Sequence, residues 1–170
     1  MKIVCILATS ASLLALSTIS ATAQSAKATL KDRDGKDVGG ATLTQTPAGV
    51  LIALSVKGLP AGEHAFHVHG IGKCEPPFMS AGGHFNPGQK KHGMMAPDGS
   101  HAGDMPNLHI PASGELVVEV LNAAVTLEKG KANSLFGPEG TALIVHANKD
   151  DYKTDPTGEA GGRIACGLVE

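Results

Sequence analysis

Short apolar runs that alternate at period two, each closed by glycine or proline, set the narrowest limits on how this chain can fold. In Val50-Leu51-Ile52-Ala53-Leu54-Ser55-Val56-Lys57, the residues Val50, Ile52, Leu54 and Val56 share one face, and Gly58, Pro60 and Gly62 end the run. Leu116 to Val120, Thr141 to His146 and Arg163 to Val169 read the same way. Weaker strands are predicted near Ala28 to Lys31 and Ala41 to Thr46, with Asp34-Gly35 suited to the turn between them. No long stretch carries a capped 3.6-residue period. With 22 Gly and 10 Pro in 170 residues, the pattern specifies an all-β sandwich or barrel in one domain.

Charge is almost balanced, 14 Lys+Arg against 16 Asp+Glu, which argues against a nucleic-acid binder because phosphate contacts need a clustered basic surface. Residues 1–23 have the build of a cleaved secretory signal. Lys2 opens it, Ile3 to Ile19 is apolar and small, and Ala21-Thr22-Ala23 is an A-x-A site before Gln24. Thr9, Ser10, Ser12, Ser17 and Thr18 interrupt the run and no stop-transfer pattern follows, so a retained membrane anchor is disfavoured. The expected product is an exported domain of residues 24–170, in the periplasm first and outside the cell as the alternative, with no membrane contact after cleavage. It carries 13 basic and 16 acidic residues, a net charge of −3 once Lys2 is removed from the 14. Removal of Cys5 leaves Cys74 and Cys166. In an oxidising compartment these are expected to form a disulfide, the alternative being two independent buried thiols.

Two segments break the strand rhythm: Gly70 to Pro111, and Ala147 to Gly162. Loops this long need a function or something that holds them. On a strand, His67 and His69 of His64-Ala65-Phe66-His67-Val68-His69 project from one face, about 6–7 Å apart, while Phe66 and Val68 project from the other. Such a pair can chelate one metal ion. The first long loop adds His84, His92, His101 and Asp104 among turn-forming glycines. Three neutral imidazoles and a carboxylate form a tetrahedral set suited to zinc. A loop with so few apolar side chains cannot offset its own ordering entropy, whereas a bound divalent ion can hold it. His146 ends an apolar strand, where an unpaired buried imidazole would be costly.

Gly62-Glu63-His64-Ala65-Phe66-His67-Val68-His69, Ser80-Ala81-Gly82-Gly83-His84-Phe85-Asn86-Pro87, His92, His101, Asp104, His146 and Gly161-Gly162-Arg163-Ile164-Ala165-Cys166-Gly167 together resemble copper/zinc superoxide dismutase of the secreted bacterial type. The resemblance implies an eight-stranded antiparallel Greek-key flattened barrel with two long functional loops. It implies one copper per subunit on His67, His69, His84 and His146, and one zinc on His84, His92, His101 and Asp104, with His84 bridging. It also implies a Cys74–Cys166 disulfide, Arg163 as guide for the superoxide anion, and Asp150 as the carboxylate behind one histidine of each metal. Copper can cycle by one electron in an imidazole site and zinc cannot. The implied activity is therefore dismutation of superoxide to dioxygen and hydrogen peroxide, with Arg163 and His84 the acting side chains, in antioxidant defence outside the cytoplasm. A metal carrier on the same scaffold would be expected to lack Arg163 or a copper histidine, and none is missing. Ala65 departs from the family's usual glycine and is tolerable at negative φ. Lys153, or Lys90 and Lys91, are candidates for electrostatic steering. The resemblance makes His64 a structural hydrogen-bonding residue, and His109 matches no metal position. A homodimer is compatible with the resemblance, but no exposed apolar stripe selects a pairing surface.

Overall fold

The computed structural model describes residues 24–170, so the expected leader lies outside the described residues. The strands are β1 (Ser25–Asp32), β2 (Asp37–Thr46), β3 (Gly49–Val56), β4 (Gly62–His64), β5 (Phe66–His69), β6 (Leu108–Ile110), β7 (Leu116–Asn122), β8 (Ala142–His146) and β9 (Arg163–Leu168). Seven of them form one curled antiparallel sheet in the order β5-β8-β9-β1-β2-β3-β7, and β4 pairs with β6 in a short ribbon. The chain runs β1-β2-β3 as a meander, crosses to β4 and β5, returns to lay β7 beside β3, and crosses again to lay β8 beside β5. These two crossovers give the Greek-key connectivity.

Eight strands were expected and nine hydrogen-bonded segments are present, because the run 62–69 changes partner at Ala65: β4 pairs with β6 and β5 with β8. The segment β6 falls inside the stretch read from sequence as strandless. Its three residues bury only Leu108 and Ile110, which is too short to display a period.

Alternation is clean where one face is solvated. β1 buries Ala26, Ala28 and Leu30, and β3 buries Val50, Ile52, Leu54 and Val56. In β2 the inward residues change parity, from Val38 to Ala41 and Leu43, across a register shift opposite Leu30 and Lys31. Gly39 permits this bulge: its φ is +137°, and a side chain there would run into the Ser55 carbonyl. β5 and β8 do not alternate, since every residue of both is buried. Phe66, Val68, Leu143 and Val145 enter the main core, while Ala142 and Ile144 pack outward on a second cluster with Phe78, Ala81 and Cys166.

That second cluster is fastened covalently. Cys74 and Cys166 are disulfide-bonded with Cα atoms 5.7 Å apart and a sequence separation of 92. The bond ties the segment after β5 to β9. Closing a loop of that size in the unfolded chain corresponds to at most about 4–5 kcal/mol. The paired change Cys74→Ser with Cys166→Ser is therefore expected to lower unfolding free energy by about 2–4 kcal/mol in a urea titration.

Candidate metal centre

The β5–β8 register fixes the first part of the site. His67 lies opposite Ile144 and His69 opposite Ala142, and the His146 amide donates to the Ala65 carbonyl, so His67, His69 and His146 emerge on one face. The long loop then returns along β5 through a short backbone ladder. The Val68 amide donates to the Gly103 carbonyl, Phe85 to Val68, Gly103 to Phe85, and Gly70 to Gly83. This sets His84 beside His69 and Asp104 beside His67. The loop after β8 closes in the same manner, with Ala147 donating to Gly162 and Asp151 to Gly158. It carries Asp150 inward. Gly158, at φ +65°, lets this loop approach, because a Cβ there would collide with the Asp150 carboxylate and the His92 ring.

All seven expected ligand side chains converge, in two groups of four that share His84. In each group the potential donor atoms lie within 4.8 Å of one another. Around Asp104 Oδ1, the Nδ1 atoms of His84, His92 and His101 stand at 3.0, 3.1 and 3.4 Å, and His84 Nδ1 is 3.3 Å from His101 Nδ1. Four donors on a tetrahedral ion with bonds of about 2.0–2.1 Å would be about 3.3 Å apart. In the other group His69 Nε2 is 3.3 Å from His146 Nε2.

The outward nitrogens decide which way the lone pairs point. Asp150 accepts from His67 Nε2 at 2.8 Å and from His92 Nε2 at 3.0 Å. His69 Nδ1 donates to the Gly82 carbonyl at 2.9 Å. With those protons placed outward, the inward nitrogens are unprotonated and face one another. His67 Nδ1 and His84 Nε2 are buried and have no hydrogen-bond partner among the described residues. Orphaned, converging lone pairs in a dry interior are costly unless a cation receives them, so the donor set fits two metal ions. The third group, His67, His92 and Asp150, is a brace: each ring presents to Asp150 the nitrogen that it does not present to a donor cluster.

Titration behaviour follows the same geometry. Burial, with neighbouring imidazoles adding to it, lowers His69, takes His84 down to about 4 and takes His146 down to about 3. At His92 burial opposes the charge, but hydrogen bonds to Asp104 and Asp150 outweigh it and raise the ring to about 9. Burial also works against the Asp104 and Asp150 carboxylates, yet the histidines around them hold both below the usual range.

Arg163 opens β9 and donates from its two Nη groups to the carbonyls of Phe78 and Gly82. The Gly82 oxygen thus accepts from both Arg163 and His69. Arg163, His69, His84 and His146 line one cleft of about 500 Å³. His64 is the structural histidine the resemblance implied, its ring bridging the carbonyls of His146 at 2.8 Å and Pro60 at 3.0 Å. His109 is exposed on β6, 3.4 Å from Glu63. Ala65 is buried and its φ is not positive, so its methyl fits. Lys90, Lys91 and Lys153 are exposed and do not line the cleft; the second cation at its wall is Arg33, which no sequence motif marks. Asn107 was also not foreseen. It clamps Asp150 by accepting from its amide and donating to its carbonyl.

Asp150→Asn is expected to weaken binding at both clusters by about 10–100-fold, read by chelator competition with each metal separately, because one carboxylate orients a ring in each. The metal-free protein is expected to lose stability as pH falls from 6.5 toward 4. There the unfolded chain protonates His69, His84 and His146 while the folded chain resists. The raised His92 contributes in the opposite sense, stabilising below 6.5 and losing that contribution as pH rises through about 9. Chemical denaturation of the chelated protein across pH 4–9 checks both limbs.

The family profile described as copper/zinc superoxide dismutase (SODC) matches residues 38–169. Superoxide dismutase [Cu-Zn] 1 of Aquifex aeolicus is 56% identical over 145 residues, covering 84% of this chain and 86% of its own. The Caulobacter vibrioides superoxide dismutase [Cu-Zn] is 43% identical over 149 residues, 86% of each chain. A solved SOD-like protein from Bacillus subtilis superposes with a TM-score of 0.82 at 38% identity, covering 85% of this chain and 97% of that one. The Brucella abortus Cu/Zn superoxide dismutase superposes with a TM-score of 0.70 at 28% identity, covering 86% and 100%. Two donor clusters sharing one imidazole, on this barrel and with this depth of similarity, make the chain a member of the copper/zinc superoxide dismutase family.

Proposed function

We propose that the protein dismutates superoxide, converting two superoxide anions and two protons into dioxygen and hydrogen peroxide, with copper on His67, His69, His84 and His146 and zinc on His84, His92, His101 and Asp104. The observation that carries this reading is the shared His84 ring, whose Nδ1 faces the Asp104 cluster while its buried Nε2 faces the other three imidazoles. Copper supplies one-electron redox chemistry when bound, and zinc supplies a fixed charge that orders the loop.

The chain's own residues do the rest. Arg163 presents a permanent positive charge at the cleft, where it attracts the anion and stabilises charge on it. Its guanidinium is held by two backbone carbonyls, so little reorganisation is needed as the anion arrives. Peroxide formation consumes protons, and His84 Nε2 is the buried atom placed to hold one and deliver it toward the cleft. Asp150 and the Gly82 carbonyl keep His67, His92 and His69 in the tautomers that aim lone pairs inward.

Residues 1–23 are read as a leader cleaved after Ala23, delivering residues 24–170 to the periplasm. The Cys74–Cys166 disulfide suits that oxidising compartment. His146→Ala tests the assignment: dismutation should be lost and copper binding weakened, while zinc content by elemental analysis stays at one ion. Retained activity, or loss of zinc alone, would mean the two clusters are assigned the wrong way round.

A further inference from the structure

We propose that Arg33 is a second anion-steering residue, recruited to the mouth of the cleft by the β1–β9 pairing. The inference rests on the reading of that cleft as an anion site. Asp32 pairs with Ala165, which brings the residue after β1 alongside the start of β9. Arg33 Nε donates to the Arg163 carbonyl at 2.7 Å, so its guanidinium is anchored on the backbone of the arginine already described. The absence of a side chain at Gly162 makes room for it: a Cβ there would stand 2.7 Å from Arg33 Nη2.

Three further observations point to a charge available to a ligand. The two Nη groups of Arg33 make no hydrogen bond among the described residues. No carboxylate among those residues forms an ion pair with Arg33. No Asp or Glu lines the cleft, where Arg33 and Arg163 are the permanent cations. Each Arg163 Nη already gives one N–H to a carbonyl, whereas both Nη groups of Arg33 add donors with no partner among the described residues. On a domain with 13 basic and 16 acidic residues, a small anion needs a local positive potential to reach the site, and two guanidinium groups lining one cleft focus one.

The test compares wild type with Arg33→Gln, Arg33→Lys and Arg33→Glu, all matched for copper and zinc content. The equilibrium affinity for azide is read from the copper absorption band, and kcat/KM is followed against salt from about 0.01 M to about 0.15 M, where the Debye length shortens from about 30 Å to about 8 Å. Arg33→Gln should weaken azide binding and lower kcat/KM by about 2–5-fold at low salt, Arg33→Glu by more, with the curves converging as salt rises. Arg33→Lys keeps the charge without the Nε–H that donates to the Arg163 carbonyl, and should stay near wild type. If Lys is as poor as Gln, Arg33 acts only through its bond to the Arg163 carbonyl and the proposal falls. Equal azide affinity in all four proteins, or none in wild type, also overturns it. Arg33-dependent azide binding in a protein that does not dismutate superoxide would sink the functional reading above and leave this one standing.

Discussion

The interior of this protein is organised around lone pairs that point at one another. Six imidazoles and one carboxylate bring their inward atoms to spacings near those of ligands on a single ion, and two of those atoms have no partner in the described structure. Left alone, such an arrangement is repulsive and desolvated at once. It persists because the outward nitrogens are satisfied first. The Asp150 carboxylate and the Gly82 carbonyl decide the tautomers of three rings. The barrel, the loops and the disulfide all serve to hold that geometry against its own repulsion.

Rigidity is distributed unevenly to this end. His67, His69 and His146 stand on strands buried on both faces, where a change of rotamer would disturb a packed layer. His84, His92, His101 and Asp104 lie on a loop with little apolar content of its own. Three devices fix it: the backbone ladder along β5, the Tyr152 carbonyl that accepts from Met95, and the Asp155 carboxylate that accepts from the His92 amide. The two long loops therefore brace each other across the site. The second loop supplies none of the seven ligands and holds the first through Asp150, Tyr152 and Asp155.

The same economy links metal site and cleft. One carbonyl, that of Gly82, accepts from both His69 and Arg163, so the ring facing the cleft and the guanidinium beside it share one anchor. Gly82 belongs to the segment that the disulfide holds against β9, eight residues after Cys74. A covalent tie outside the site thus sets the position of a charge inside it. Net negative charge on the whole domain and positive charge at the opening are compatible, because screening limits the first to short range while low-dielectric walls concentrate the second.

Period-two runs and glycine- or proline-rich turns were enough to read β3 and β7 and the all-β class, since alternation is a local consequence of one buried face. By contrast β8 and β9, which do not alternate in burial, were legible as short apolar runs bounded by turn residues. The His67–His69 pair and the set His84, His92, His101 and Asp104 were legible because residue type and spacing survive in sequence, while the quartet with His146 and the sharing of His84 came from the family resemblance. What could not be read depends on registers between distant segments. The split of strand 62–69 at Ala65 arises from a change of partner, and β6 is too short to show a period. Asn107 reaches Asp150 across 43 residues, and Arg33 reaches Arg163 across 130. Residue type and spacing, with the family resemblance, marked which side chains could bind metal. Only the pairing of β5 with β8 and of β1 with β9 decided which atoms meet, because a contact between remote residues is set by long-range backbone hydrogen bonding that leaves no periodic trace in either segment.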